Sequence, residues 1–173
     1  MPHRVGIVAA LLLLTIGTAF GGFFGRYQGN LYRAVTRGAL ANPDAHHLSG
    51  HREKDARVLE RIRRNFRGKL VRFHNHANGL ALVILLVSLA LANSEVSAKT
   101  RTLLTWGVSI GGVLYPFGWL LAGLNISSLG VEKAQDLGVL ILAPAGIVVI
   151  LCTVATLVIY LLRGWAADPT DKK

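Results

Sequence analysis

Apolar residues gather into four long runs along the chain. The first, Val5 to Gly25, contains no charged side chain. The second, Gly79 to Ala92, is only 14 residues of apolar character. The third and fourth run from Thr102 to Leu124 and from about Leu137 to Leu162. Crossing ~30 Å of hydrocarbon takes about 20 helical residues, so the second run must recruit Phe73 to Asn78. Backbone groups in lipid have to be satisfied within their own segment, which helices achieve and open strands do not. The pattern predicts an all-α fold, an integral membrane four-helix bundle. It forms one membrane domain over residues 1–173, with helices at about 5–25, 73–93, 102–124 and 131–163.

The connection over residues 26–72 is too long to be an idle loop in a compact bundle. Ala41-Asn42-Pro43-Asp44 reads as a turn, because proline fixes φ and the residue before it leaves the helical region. From Arg52 a helical period returns, with Val58, Leu59, Ile62, Phe66 and Leu70 on one face and Lys54, Arg57, Arg61 and Arg64 elsewhere. Such a basic amphipathic helix is expected to lie along the inner leaflet, apolar side down, or to pack against a partner subunit. Gly68 is expected to break it just before the second membrane helix.

Composition agrees with a membrane chain. Hydrophobic residues make up 52% and charged residues 16%, against about a quarter charged in soluble domains. Disorder is excluded by the same figures, and the single cysteine, Cys152, excludes an intrachain disulfide framework. The net charge of +10 is unevenly placed. Twelve of the 19 lysines and arginines lie between Arg26 and Arg72, and Lys133 shares that side, whereas six lie opposite. The positive-inside rule then puts both termini outside and residues 26–72 in the cytoplasm. The first run is expected to be a retained helix, since Arg4 alone precedes it and Thr18-Ala19-Phe20 is a poor cleavage site. No aromatic-interleaved basic motif accompanies the charge, so nucleic acid is not an expected partner. The expected partners are the lipid bilayer and either other membrane subunits or further copies of the chain.

Gly17, Gly21 and Gly25 recur at four-residue spacing in helix one, and Gly107 and Gly111 do so in helix three, which suits close helix approach in lipid. Pro116 and Pro144 interrupt helices three and four and free the carbonyls of Gly112 and Leu140. No Lys, Arg, Asp or Glu lies inside an apolar run, which argues against a proton relay, a retinal Schiff base or a voltage sensor. No phosphate loop, nucleophile elbow or zinc-protease motif is present, so no catalytic residue is assigned. Glu132 and Asp136 suit the N-terminus of helix four. Trp106, Trp119, Trp165, Tyr115 and Tyr160 suit interfacial belts or packing.

The candidate chemistry lies in the histidines. Five of six fall between His46 and His76. His74 and His76 are drawn to the hydrocarbon boundary beside Asn75 and Asn78, where an unpaired polar group is expensive and therefore a functional candidate. Positions i and i+2 on a helix point about 200° apart, so the two cannot grip one ion from a regular helix. They can serve two centres. Alternatively one of them could share an ion with His46, His47 or His51, since neutral imidazole suits zinc, copper and iron.

Phe73-His74-Asn75-His76-Ala77-Asn78-Gly79-Leu80, followed by an apolar helix, resembles the His-x-His motif that opens helices in proteins related to haem-copper oxidase subunit I. Tyr115-Pro116-Phe117-Gly118-Trp119 is compatible with the third helix of small four-helix members. In the full family the paired histidines ligate two different haems. The resemblance implies haem b as cofactor, with His74 or His76 as axial ligand or propionate partner and Asn78 beside them. It also implies residence in a bacterial inner (plasma) membrane as a subunit of a respiratory or electron-transfer complex. The other membrane helices hold no histidine and His3 lies at the outer end, so copper ligands are missing and oxygen reduction by this chain alone is not expected. A competing expectation is a cofactor-free assembly subunit that docks partners through residues 26–72. A second likeness links Ala39 to Asp44, Arg72 and His76-Ala77-Asn78 to the membrane-associated eicosanoid and glutathione transferases. It would place Arg72, His76 and Asn78 around a ligand, although Gly79, Leu80 and Ala81 stand where that family has an acidic residue.

Overall fold

The computed structural model describes residues 2–163, excluding the side chains of Pro2, His3 and Arg163. The expectations for Trp165, Lys172 and Lys173, like those for the His3 and Arg163 side chains, fall outside what is described. The elements are α1 (Pro2–Leu40), α2 (Pro43–His46), α3 (Arg52–Ala92), α4 (Ala98–Leu129) and α5 (Val131–Arg163), with no strand among the described residues. Four of these helices are long and apolar enough to cross a membrane. Leu86, Leu103, Leu140 and Leu161, on three different helices, stay at least 66% exposed. An apolar surface on that scale needs lipid to cover it. The protein is a multi-pass membrane protein built as a helical bundle.

The helices run past the apolar segments that define them. α1 continues from Gly25 to Leu40, and α3 begins at Arg52 and passes through Gly68 without a break. Two expectations are thereby corrected: the first helix does not end at about residue 25 but runs on to Leu40, and Gly68 ends nothing. A helical hydrogen-bond ladder is self-contained in water and in lipid, so the membrane boundary gives no reason to stop. A mid-helix glycine costs about 1 kcal/mol, and the packing of Lys69 and Leu70 against Gly123 of α4 holds α3 together there. α1, with 39 residues, is ~58 Å long and α3, with 41, is ~62 Å, both well beyond the bilayer core.

The amphipathic face of α3 also finds a different cover from the one expected. Ile62, Phe66 and Leu70 are buried against Val35 and Ala39 of α1, Ile126 of α4 and Ala134 of α5. This second core, at the basic end, is distinct from the core formed by Leu13, Ala81, Ile84, Leu91, Val108 and Val149. The apolar stripe is satisfied within the chain, not by the leaflet. α1, α3 and α4 pack on one another, while α5 lies along α4 and touches α3 only slightly.

The connections are short and specified. α4 and α5 are joined through Gly130 alone, whose φ of 83° favours glycine and whose N–H donates to Ile126 O at 3.0 Å. A Cβ at Gly130 would stand 2.5 Å from the Ala45 carbonyl, so glycine is also what lets α2 tuck beneath this turn. Asn42 Nδ2 donates to Gly38 O at 2.8 Å and closes the turn predicted at Asn42-Pro43. α4 starts on Ser97, whose hydroxyl accepts from Thr100 N at 3.1 Å.

α3 is tied to the preceding loop by Asp55. Its carboxylate accepts from Ser49 N at 2.8 Å, Ser49 Oγ at 3.1 Å and Gly50 N at 2.9 Å. Asp55 lies far outside the bilayer-crossing part of α3. The Ser49 amide, helped by the Ser49 hydroxyl, the Gly50 amide and His51, holds the carboxyl below its ordinary range despite partial desolvation. A depressed folded-state pKa stabilises the loop above the ordinary carboxylate pKa, and that stability is lost as pH falls through the lowered value. Protection of the Ser49 and Gly50 amides, taken relative to their intrinsic exchange rates, should therefore fall as pH drops below the ordinary carboxylate range. Asp55→Asn should show the low protection already at neutral pH. Protection in that variant equal to wild type would reject this anchoring role.

Candidate functional site

His74 and His76 lie on opposite sides of α3, as the helical period requires. His74 faces α1. Its Nδ1 is 2.8 Å from Gly17 O, and because a carbonyl only accepts, Nδ1 carries the proton and donates. Asn78, one turn on, brings Nδ2 to 3.5 Å from His74 Nε2. Gly17 and Gly21 make room for this pair. A Cβ at Gly17 would stand 2.5 Å from Asn78 Oδ1, and one at Gly21 would stand 2.6 Å from His74 Cε1. The glycine stripe of α1 thus serves packing within the chain, and it ends before Gly25, where a Cβ would meet nothing within 4 Å. His74 is spent on holding α1 to α3.

His76 faces α4 and is half-buried. Its ring stacks on Trp119, with centroids 6.2 Å apart and planes 9° from parallel, and meets Tyr115 edge-on at 5.1 Å. No protein hydrogen bond reaches its ring nitrogens among the described residues. Trp119 Nε1 is buried and likewise without a partner there. Two cations share the indole: Lys69 Nζ is 5.0 Å and Arg72 Cζ 4.9 Å from its centroid, within cation–π range. Lys69 is only 5% exposed. Below the imidazole a cavity of about 230 Å³ opens between α3, α4 and α5, walled by Leu80, Tyr115, Gly146, Val149 and Ile150. The sequence named His76 and Arg72 together but did not place Lys69, Tyr115 or Trp119 beside them. Lys69, at the i−7 position of the same helix face, was the signal that could have found the cluster.

The remaining histidines stay apart. His46 is buried, its Nε2 3.1 Å from Ser127 O at the basic end of α4. Ser127 packs on Gly38 of α1 and His74 on Gly21, so ~25 Å of helix separates the two histidine levels. One ion cannot bridge His74 or His76 to His46. His47 is exposed at a left-handed φ of 53°, and His51 is the exposed residue before α3. No group of three His, Cys, Asp or Glu side chains is placed to hold a metal ion among the described residues. The transferase-like trio is divided as well: Arg72 and His76 share the Trp119 side, whereas Asn78 faces α1.

Comparison with protein-family models, curated proteins and solved structures gives no match to this chain.

The residues around His76 fit a flat apolar group that bears carboxylates. The imidazole offers ring nitrogens with no protein hydrogen bond among the described residues, the aromatic and aliphatic walls offer contact area, and Lys69 and Arg72 offer positive charge. The fit is partial, because 230 Å³ is less than a site usually needs to enclose a ligand of that size within one chain.

Proposed function

We propose that the chain is a small accessory subunit of an electron-transfer complex in a bacterial inner membrane, with both termini outside. In this reading it offers His76 to a haem b shared with a neighbouring chain. The observation that carries the reading is the unbonded His76 imidazole at the hydrocarbon boundary. A polar group there costs free energy unless something outside the monomer satisfies it. Haem would supply the one-electron chemistry when bound. The chain's own residues would present the imidazole nitrogen, neutralise carboxylates with Arg72 and Lys69, and exclude water through Tyr115 and Trp119. His74, already bonded to Gly17, would fix the angle of α3 without touching the cofactor.

The test is the visible spectrum of the complex purified from native membranes. A Soret band should disappear in His76→Ala and persist in His74→Ala. No band in any preparation, or loss in His74→Ala alone, would reject haem at His76. A cofactor-free docking subunit is favoured by one separate observation, the many exposed guanidinium groups on a well-packed helical extension. In that case co-purification of partners should fail when Arg57, Arg61 and Arg64 are reversed to glutamate, with no spectral band to lose.

A further inference from the structure

A separate cavity lies away from His76, between α1 and α3 at the basic end. It holds about 550 Å³ and is lined by Gly29, Tyr32, Arg33, Thr36, Arg37 and Arg63. The α1 residues recur at one-turn spacing and form one stripe, which Arg63 closes from α3. Two of the three guanidinium groups are held in place. Arg63 Nε donates to Thr36 Oγ1 at 3.0 Å, and Thr36 Oγ1 donates in turn to Tyr32 O at 2.7 Å. Arg33 donates to Asn30 Oδ1. These bonds use single N–H groups, so the outer faces of the forks stay available for bidentate contact with an oxyanion. The carboxylate ion-paired here is Glu60, 3.8 Å from Arg63, with both side chains largely exposed. Such a pair contributes little and yields readily to a stronger anion. Gly29 leaves the bilayer-side floor open, with nothing within 4 Å of a Cβ there.

Depth along α1 narrows the ligand. Gly29 is ~6 Å beyond Gly25, the last residue of the uncharged run, and Arg37 is ~18 Å beyond it. Phosphates of a phospholipid lie in the few ångströms outside the hydrocarbon, so the cleft begins at headgroup depth. We propose that this cleft is a phosphate site that takes the headgroup of an anionic phospholipid from the leaflet at the basic end. Arg33, the arginine of the cleft nearest the leaflet, grips the phosphate oxygens, Arg63 and Arg37 further out spread positive charge over the rest of the headgroup, and Asn30 and Thr36 position the Arg33 and Arg63 guanidinium groups. Basic pockets between membrane helices are suited to this recognition. The site shares no residue with the His76 face and stands or falls independently of haem.

The test compares lipid retention by native mass spectrometry and thermal stability in nanodiscs of phosphatidylcholine with and without cardiolipin or phosphatidylglycerol. Wild type should retain the anionic lipid and be stabilised by it. A triple variant Arg33→Gln, Arg37→Gln, Arg63→Gln should bind it about tenfold more weakly. A charge-matched control, Arg57→Gln, Arg64→Gln, Arg67→Gln, changes exposed arginines outside the cleft and should lose less than about twofold. Equal losses in both variants would mean diffuse attraction and overturn the site. Stabilisation by inorganic phosphate alone, with none from anionic lipid, would overturn the lipid assignment. Unchanged far-ultraviolet circular dichroism in both variants certifies that loss of binding is not loss of fold.

Discussion

Replacing Phe73 by alanine should cost about 3 kcal/mol of folding stability. Phe73 is 1% exposed and sits where three helices meet. Its ring meets Phe20 of α1 edge-on at 4.6 Å and Phe117 of α4 at 5.5 Å. Helices already surrounded by lipid gain little from hiding apolar surface from water, so the loss is of dispersion contacts and of two aromatic pairs worth about 0.5–1.5 kcal/mol each. The cavity left behind adds to it. Equilibrium unfolding in mixed micelles, followed by circular dichroism, measures the change. Phe73→Leu should recover roughly half by refilling volume without the ring geometry. A loss below about 1 kcal/mol for alanine would mean that the three helices are held elsewhere.

The second large effect is expected from Gly138→Leu, at the α4–α5 contact. A Cβ at Gly138 would stand 2.7 Å from Gly118 O and 2.8 Å from Ala122 Cβ, and one at Gly118 would stand 2.9 Å from Gly138 O. Both backbones are immovable partners here, so the helices must separate, at a cost of about 1–3 kcal/mol or more. Cys152, whose Sγ lies opposite Gly107 ~21 Å further along the same interface, reports whether that separation spreads along the two helices. Labelling of Cys152 by a thiol-reactive dye should quicken about tenfold in the variant. Gly22→Leu, whose Cβ meets nothing within 4 Å, should leave the rate unchanged. Similar rates in all three proteins would show that the separation does not reach Cys152.

These two positions show how unevenly the fold was legible. Phe73 was grouped with the second crossing helix because a 14-residue run is too short to cross alone. Nothing in its neighbourhood along the chain named Phe20 or Phe117. Glycine spacing flagged Gly17, Gly21, Gly107 and Gly111, which do meet neighbouring helices, but it flagged Gly25 too, which meets none, and passed over Gly118 and Gly138. Small residues permit close approach, yet only the facing helix decides whether it happens.

The sequence by itself determined the four crossing helices, the helical class and the opposed directions of His74 and His76. Each follows from local rules: the length of an apolar run against the bilayer, the closed hydrogen-bond ladder, and 100° of rotation per residue. Tertiary structure alone decided that α1 and α3 continue beyond the membrane and that the stripe from Val58 to Leu70 is covered by the chain's own helices. It also decided that His74 is consumed by Gly17 while His76, beside Lys69, Arg72 and Trp119, has no hydrogen-bond partner among the described residues. The reason is that apolar attraction has no direction. Periodicity states which face must be covered, and only the packed helices state by what.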